Sequence, residues 1–404
     1  MTTKSSPRLR DVLRNREFRA LWFAEAQSLI GDQLTIVTLA ILIFNRTGSA
    51  LLSAVVYALT FLPALAGGLG LSQLADRYPR RAVLVIGSVG QAVLIGLMAV
   101  PGMPLALLCV LVVLARLVNA PANAAQNALA RDVFTDDTLY LRSQDLRAVT
   151  VNTAMLLGLA GGGVLVTTIG VQWALTLDAT TFLLSALVIL AMVRQRPAAG
   201  DANGTWFGAI KLVFGDERLR LLIWMSWLVG LAVIPEGLAA PLAKQLDVGD
   251  QAVGWLLAAD PLGFVVGTFL LSHYVSAEHR RRLLGLMAGL PLVVLLGFGL
   301  EPGLVGALVL LGIAGAAGAY LVTVNATFMT WVPSEFRGGA VGLYRTGLRV
   351  AQGVGAILGG LAAEALGSAT SAIVLAAAVG IVVAIPVAIG WSRTHRTRAE
   401  PQAS

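Results

Sequence analysis

The sequence predicts an all-α membrane protein with twelve transmembrane helices in two pseudo-symmetric six-helix bundles. Of the 404 residues, 57% are hydrophobic and only 13% are charged, whereas about a quarter of the residues in a soluble domain are charged. Apolar segments of roughly 20 residues, the length that a helix needs to cross a bilayer, recur from end to end. The basic residues form short clusters between these segments. These observations make a lipid bilayer the predicted surroundings of the chain.

Each predicted span is a mostly apolar run between polar or turn-forming segments. The twelve spans cover residues 18–44, 50–75, 82–100, 105–129, 147–167, 170–193, 219–243, 252–275, 283–300, 304–331, 340–366 and 370–391. The first follows a basic stretch, as in a secretory signal, but it is too long for a signal core and no small-residue cleavage site follows it. We therefore expect it to be a retained span.

Loops rich in lysine and arginine alternate with loops that nearly lack them. Lysine and arginine occur at the N-terminus, in every even-numbered loop and in the C-terminal tail, whereas the odd-numbered loops contain only Arg46 and Lys244. Because basic residues accumulate on the cytoplasmic side, we predict a protein of the cell (inner) membrane with both termini in the cytoplasm. The net charge of +7 follows from this topology. It forms no continuous basic face, so nucleic-acid binding is not expected.

The longest polar break lies between the sixth and seventh predicted spans. It divides the chain into an N-terminal bundle (1–193), a cytoplasmic linker with a short surface helix (194–218) and a C-terminal bundle with a cytoplasmic tail (219–404). The two halves resemble each other, because three glycines of the fifth span match three of the eleventh at the same displacement: Gly158, Gly162 and Gly163 match Gly355, Gly359 and Gly360. Repeated halves are typical of transporters that rock around a central site.

Two short segments carry a resemblance to the major facilitator superfamily. The loop after span two resembles the family's Gly-x-Leu-Ala-Asp-Arg-x-Gly-Arg-Arg motif and reads Ser72-Gln73-Leu74-Ala75-Asp76-Arg77-Tyr78-Pro79-Arg80-Arg81. Ser72 and Pro79 replace the family's glycines. The segment before span eleven, residues 333–338, is similar to a second family signature. The resemblance covers essentially the whole chain and implies the major facilitator fold.

Further similarities favour export. The segment 15–22, leading to Gly31 and Asp32, is similar to the opening of the macrolide and siderophore (enterobactin-type) exporters. Residues 158–163 of span five are similar to the Gly-Pro-x-x-Gly-Gly motif of proton-coupled drug antiporters, although Leu159 replaces the proline that supplies part of the helix kink. The resemblance therefore implies proton-coupled efflux of a small, largely apolar compound.

Charged residues inside predicted spans mark the expected site, because a charge at the bilayer centre costs about 2.5–3.5 kcal/mol even on the mildest scales. Asp32 lies about twelve residues from the cytoplasmic start of span one, and Arg116 about ten to thirteen from the cytoplasmic end of span four, so both lie near mid-membrane. The resemblance makes these spans neighbours and implies that Asp32 and Arg116 couple transport to protons. Glu25 lies on the same face as Asp32 and is the reserve candidate. The alternative is a static ion pair between two helices.

The remaining candidates are a gate and a cavity. The resemblance assigns the cytoplasmic gate to the loop after span two, where Asp76 faces the N-terminal end of span eleven and basic side chains clamp neighbouring helix ends: Arg77, Arg80 and Arg81. Polar residues of spans four, seven, eight and eleven are candidates for the cavity lining: Asn119, Asn123, Glu236, Asp260, Arg345 and Arg349. For Glu236 and Asp260, gating or solvation at the membrane interface is the alternative. For Asp178 in span six, we expect a hydrogen bond to a neighbouring helix.

Two other functions are compatible with parts of this pattern. An importer or facilitator of a small polar metabolite would share the fold, although few charges lie in the predicted cavity. A membrane-embedded receptor or enzyme would need an extramembrane domain or a catalytic cluster, and the sequence has no P-loop, serine-hydrolase elbow or metal-ligand pattern. We therefore predict no cofactor and no metal. The predicted partners are a small-molecule substrate, protons and the lipid bilayer, and the predicted state is a monomer.

Overall fold

The computed structural model describes residues 9–61, 77–134, 136–196 and 206–396, and every regular element in these ranges is helical. The α-helices are α1 Leu9–Leu13, α2 Arg16–Thr47, α3 Ala50–Leu59, α4 Arg80–Met98, α5 Leu105–Val133, α6 Asp137–Ile169, α7 Val171–Met192, α8 Trp206–Gly215, α9 Glu217–Trp227, α10 Val229–Ala232, α11 Ile234–Gly237, α12 Ala239–Gln245, α13 Gln251–Tyr274, α14 Ala277–Leu295, α15 Leu304–Gly318, α16 Tyr320–Trp331, α17 Arg337–Leu366 and α18 Ala369–Arg396.

Ten helical segments of the described chain are long and apolar enough to cross a membrane, and each lies at a predicted span. The other two predicted spans are the second and the eleventh. The second is described only through its first part, the apolar helix α3. The eleventh is α17, which has 30 residues but is less apolar because Arg337, Arg345 and Arg349 lie in its first half. The fold is the predicted one, an all-α membrane protein with two six-helix halves.

The seventh span is not the single helix that its hydropathy predicted. It is divided into α9, α10, α11 and α12, with Leu238 (φ −103°, ψ 11°) outside helical geometry. Pro235 explains part of the division, because proline has no N–H and its ring clashes with the carbonyl one turn earlier. Glu236 follows this proline. Broken helices in transporters are found where irregular backbone lines a cavity.

The chain divides into two compact units. The first contains described residues of Met1–Leu39 and Pro63–Ala202, and the second those of Ala40–Leu62 and Asn203–Ser404. Small and aliphatic side chains of α2, α4, α5 and α7 form a core in the first unit. The second unit has a larger core with several aromatic residues, among them Tyr320, Phe328 and Trp391. The boundaries 1–193, 194–218 and 219–404 stay a prediction.

The matching glycines have the same packing role in each unit. Gly158 of α6 lies against α2, where an added methyl group would be 2.6 Å from both Gln33 Cβ and the Ile30 carbonyl oxygen. In the second unit, a methyl group on Gly355 of α17 would overlap the Gly230 carbonyl of α10. Span five thus packs on span one, and span eleven packs on span seven. Small residues at such contacts let transmembrane helices approach closely.

Polar contacts tie the start of α2 to the segment after α7. The Asn15 side chain accepts hydrogen bonds from the backbone N–H groups of Glu17 (2.9 Å) and Phe18 (3.1 Å) and so caps α2. Glu17 in turn accepts two hydrogen bonds from Arg196, at 2.6 and 2.9 Å. This hydrogen bonding raises the pKa of Arg196 above its usual range. The bidentate pair fixes the two ends together within the first unit.

Candidate functional site

Asp32 and Arg116 form an ion pair inside the first unit. Arg116 Nη1 lies 3.4 Å from Asp32 Oδ1, and Asn119 Nδ2 lies 3.4 Å from Asp32 Oδ2. The residue Asp32 is only 7% exposed. Both distances exceed the roughly 2.7–3.2 Å of a well-formed N–H···O hydrogen bond. The sequence-predicted pair is therefore present, with donor–acceptor distances longer than those of a tight hydrogen bond.

Glu25 lies on the same helix as Asp32 but has a different partner. Arg147 Nε donates to Glu25 Oε2 at 2.7 Å, and a second guanidinium nitrogen binds the other carboxylate oxygen. Arg147 also donates to Asn127 Oδ1 at 2.8 Å. This bidentate, charge-assisted geometry is the stronger kind of ion pair. Sequence reasoning missed Arg147, because the predicted fifth span begins at residue 147 whereas helix α6 begins at Asp137.

Asp178 of α7 lies next to this part of α2. Thr35 Oγ1 donates to Asp178 Oδ2 at 2.5 Å, which is the predicted hydrogen bond to a neighbouring helix. A methyl group on Gly31 would overlap the Asp178 carboxylate, so glycine at this position makes room for the acid. Asp178 is 0% exposed, and both Asp32 and Arg116 are near enough to act on it electrostatically. Two buried acids thus lie within electrostatic reach of Arg116, which pairs directly with Asp32.

A second cluster of ionisable groups lies in the second unit, at the broken seventh span. The Tyr57 hydroxyl donates a hydrogen bond to the Glu236 carboxylate. Asp260 and Arg349 lie within electrostatic reach of Glu236, and the Arg349 guanidinium lies over the Phe61 ring, 5.4 Å from its centroid. Three of the predicted cavity residues therefore come together. Sequence reasoning missed Tyr57, since nothing in the pattern paired it with Glu236.

The described gate residues reach the ends of neighbouring helices. Arg80, at the start of α4, forms an ion pair with Asp132 near the end of α5. Arg81 donates a hydrogen bond to the Leu190 carbonyl oxygen near the end of α7, where a positive charge also interacts favourably with the helix dipole. Arg77 is exposed. Asp76 lies outside the described residues.

The other predicted residues are more dispersed. Asn123 and Arg345 are exposed, so in this structure they do not join the two buried clusters. In the part of the chain that the structure describes, no three His, Cys, Asp or Glu side chains group as they would to hold a metal ion. Chemically, the arrangement places buried (Asp32, Asp178) and partly buried (Glu25, Glu236, Asp260) carboxyl groups beside arginine, tyrosine and threonine side chains.

A bundle of apolar helices that buries acid–arginine pairs has the features of a membrane transporter, because such residues in spans mark substrate and proton pathways. Comparison with known proteins agrees. The sequence profile of the Major Facilitator Superfamily matches residues 21–238 and 234–404. The chain therefore belongs to this superfamily of multi-pass membrane transporters, whose members are not enzymes.

One relative by sequence and two solved structures resemble this chain. The chain is 28% identical over 275 residues to the multidrug efflux pump Tap of Mycobacterium tuberculosis, a match that covers 61% of this chain and 62% of that protein. A bacterial homologue of the human lysosomal transporter Spinster has a TM-score of 0.72 at 16% identity, over 99% of this chain and 100% of its own. The nucleoside transporter NupG has a TM-score of 0.74 at 14% identity, over 93% of this chain and 98% of its own. These two structures share the fold.

Proposed function

We propose that this transporter is a secondary active exporter that couples proton entry to the efflux of a small, largely apolar compound. The loose Asp32–Arg116 pair, held at 3.4 Å inside an apolar helix bundle, carries the proposal. An acid in such a place is stable as an anion only with its partner. If substrate binding separates the two, the acid takes up a proton, and proton binding and substrate binding are thereby linked.

The direction of transport is inferred from the relatives. The multidrug pump Tap, with which the chain shares 28% identity over 275 residues, is an efflux pump by name. The similarity of segment 15–22 to macrolide and siderophore exporters points the same way. NupG shares only the fold and carries no inference on direction.

The proposed location is the inner membrane, with both termini in the cytoplasm and one chain as the working unit. The distribution of lysine and arginine supports this orientation, because the even-numbered loops and both ends are basic. Arg80 and Arg81, at the start of α4, then lie on the cytoplasmic side, and so does the loop that contains Asp76.

A transport screen in an efflux-deficient bacterial host tests direction and compound class together. Cells that express the protein should tolerate higher concentrations of some lipophilic compounds and should accumulate less of them. Cells that express Asp32→Asn at equal membrane levels are the control. Uptake of a polar nutrient without any change in drug tolerance would contradict export and would favour the importer or facilitator instead.

For the gate, we expect Asp76→Asn to insert normally in the membrane yet to transport poorly, since a negative charge at a helix N-terminus is worth about 0.3–1 kcal/mol. Arg80→Gln should also slow transport, because it leaves Asp132 without its cation. Arg142→Gln is the matched control, since its pair with Asp145 is largely exposed and exposed pairs contribute little. The measurement is the initial rate of transport in membrane vesicles for each variant. An unchanged rate for Asp76→Asn would contradict the assignment of this loop as the gate.

A further inference from the structure

The buried Asp178 is a second ionisable group beside the proposed proton site. It lies on α7, the sixth span, and touches α2 at Gly31 and Thr35, one residue before and three residues after Asp32. Among the described residues, no lysine or arginine forms an ion pair with Asp178, whereas Arg116 pairs with Asp32. An ionised carboxylate that is fully buried without a directly paired cation is costly.

The hydrogen bonds around Asp178 indicate where a proton would be held. Thr35 Oγ1 donates to Oδ2 at 2.5 Å. On the other side, the Thr181 hydroxyl donates to the Asp178 backbone carbonyl at 2.8 Å and lies 3.3 Å from Oδ1. Because a hydroxyl has one hydrogen and two lone pairs, Thr181 is then free to accept a hydrogen bond from a protonated Oδ1. The surroundings thus match a neutral carboxyl group better than an anion.

The charged groups that face Asp178 are few. Asp32 on α2 and Arg116 on α5 act on it electrostatically. Helix α4, which packs on α7 at Gly96 and Ala179, has charged side chains only at its far end, Arg80 and Arg81, and α6 has no ionisable side chain after Arg147. With both acids ionised, the cluster of Asp32, Asp178 and Arg116 has a net charge of −1. One proton makes it neutral.

We propose that Asp178 is a second proton-holding residue of this transporter and that it exchanges its proton with the solution during each cycle. The inference rests on the proposed proton coupling. While Arg116 pairs with Asp32, the proton is on Asp178. When the pair opens, Asp32 loses its cation and becomes the site of protonation, and Asp178 can then release its proton without leaving two adjacent anions. No bond other than O–H is made or broken.

Asp178→Asn separates a proton-holding role from a structural one, because asparagine can keep the hydrogen bond from Thr35 but cannot titrate. In proteoliposomes we expect this variant to retain substrate counterflow, which needs no net proton movement, and to lose accumulation driven by a pH gradient. Ser185→Ala is the matched control. It removes another buried polar contact between the same two helices, the 2.8 Å bond from Ser185 Oγ to the Ala24 carbonyl, and should leave the pH dependence unchanged.

Thr35→Val provides a second test, the pH profile of transport, which does not depend on whether Asp178→Asn folds. It removes the hydrogen bond that supports the ionised form of Asp178, so the midpoint of the pH profile of transport should move to higher pH. Wild-type accumulation by Asp178→Asn, or an unmoved pH profile in Thr35→Val, would overturn the inference. If Asp32→Asn loses accumulation in the same experiments, proton coupling stands without Asp178. If the wild-type protein shows no accumulation driven by the pH gradient, the proposed proton-coupled function is wrong, and with it the role of Asp178.

Discussion

Replacement of Asp32 by asparagine is expected to abolish uphill transport driven by a pH gradient while leaving passive exchange of substrate intact. The cavity remains, but the group whose protonation is linked to Arg116 is gone. A gradient of one pH unit supplies about 1.4 kcal/mol per proton, enough for roughly tenfold accumulation. In proteoliposomes the accumulation ratio of Asp32→Asn should therefore fall to about 1. Arg116→Ala should lose uphill transport as well and should also lower the stability of the protein, because it leaves Asp32 buried without its cation. For a fully buried pair, such a loss costs about 3–5 kcal/mol.

Glu25→Gln is the informative comparison for this result. Glu25 is bound by Arg147 through both carboxylate oxygens, so we expect its loss to reduce stability more than coupling. The variant should unfold at lower temperature in detergent yet still accumulate substrate against a pH gradient. Full accumulation by the double variant Glu25→Gln with Asp32→Asn would exclude the N-terminal proton site and transfer the coupling role to Glu236 and Asp260.

The second large effect is expected at Gly355. An alanine methyl group there would overlap the Gly230 carbonyl carbon and oxygen, and backbone atoms cannot move aside as a flexible side chain can. Overpacking usually costs about 1–3 kcal/mol, and a clash with the backbone of a neighbouring helix should reach or exceed that range. We expect Gly355→Ala to lower the melting temperature in detergent by many degrees or to prevent recovery of folded protein.

Gly161→Ala is the matched control for Gly355→Ala. Gly161 lies in α6 with open space around it, although it stands between glycines of the antiporter-like segment. Alanine has the higher helix propensity by about 0.5–1 kcal/mol, so this variant should be as stable as the wild type or slightly more so. Equal melting temperatures for both variants would show that the close packing of α17 on α10 does not hold the second unit together.

The sequence predicts much of the fold because hydropathy and span length are local properties. The limits of α2 and α5 follow from their apolar runs, and the equal depth of Asp32 and Arg116 could be counted along two antiparallel spans. The division of the seventh span at Pro235 does not follow from hydropathy, which does not register a missing N–H group. The repeat of the two glycine sets is visible in the sequence, whereas the helices on which these glycines pack are not.

Contacts that depend on helix rotation could not be predicted in the same way. Which face of α7 meets α2 decides that Asp178 lies against Gly31 and Thr35, and no spacing within one helix contains that information. The same holds for Arg147, which reaches Glu25 from a helix that begins ten residues before the predicted span. Tyr57 and Glu236 are far apart in sequence and meet only because α3 and the broken seventh span belong to one unit.

Proton coupling is tested most directly with the wild-type protein in proteoliposomes loaded with a lipophilic compound identified in the cellular screen. An imposed pH gradient should drive that compound against its concentration gradient, and substrate movement should be accompanied by opposite proton movement, recorded by an internal pH indicator. Collapse of the gradient with a protonophore should return the compound to equilibrium. Uphill transport that persists without a pH gradient, or substrate flux without any proton flux, would contradict the account.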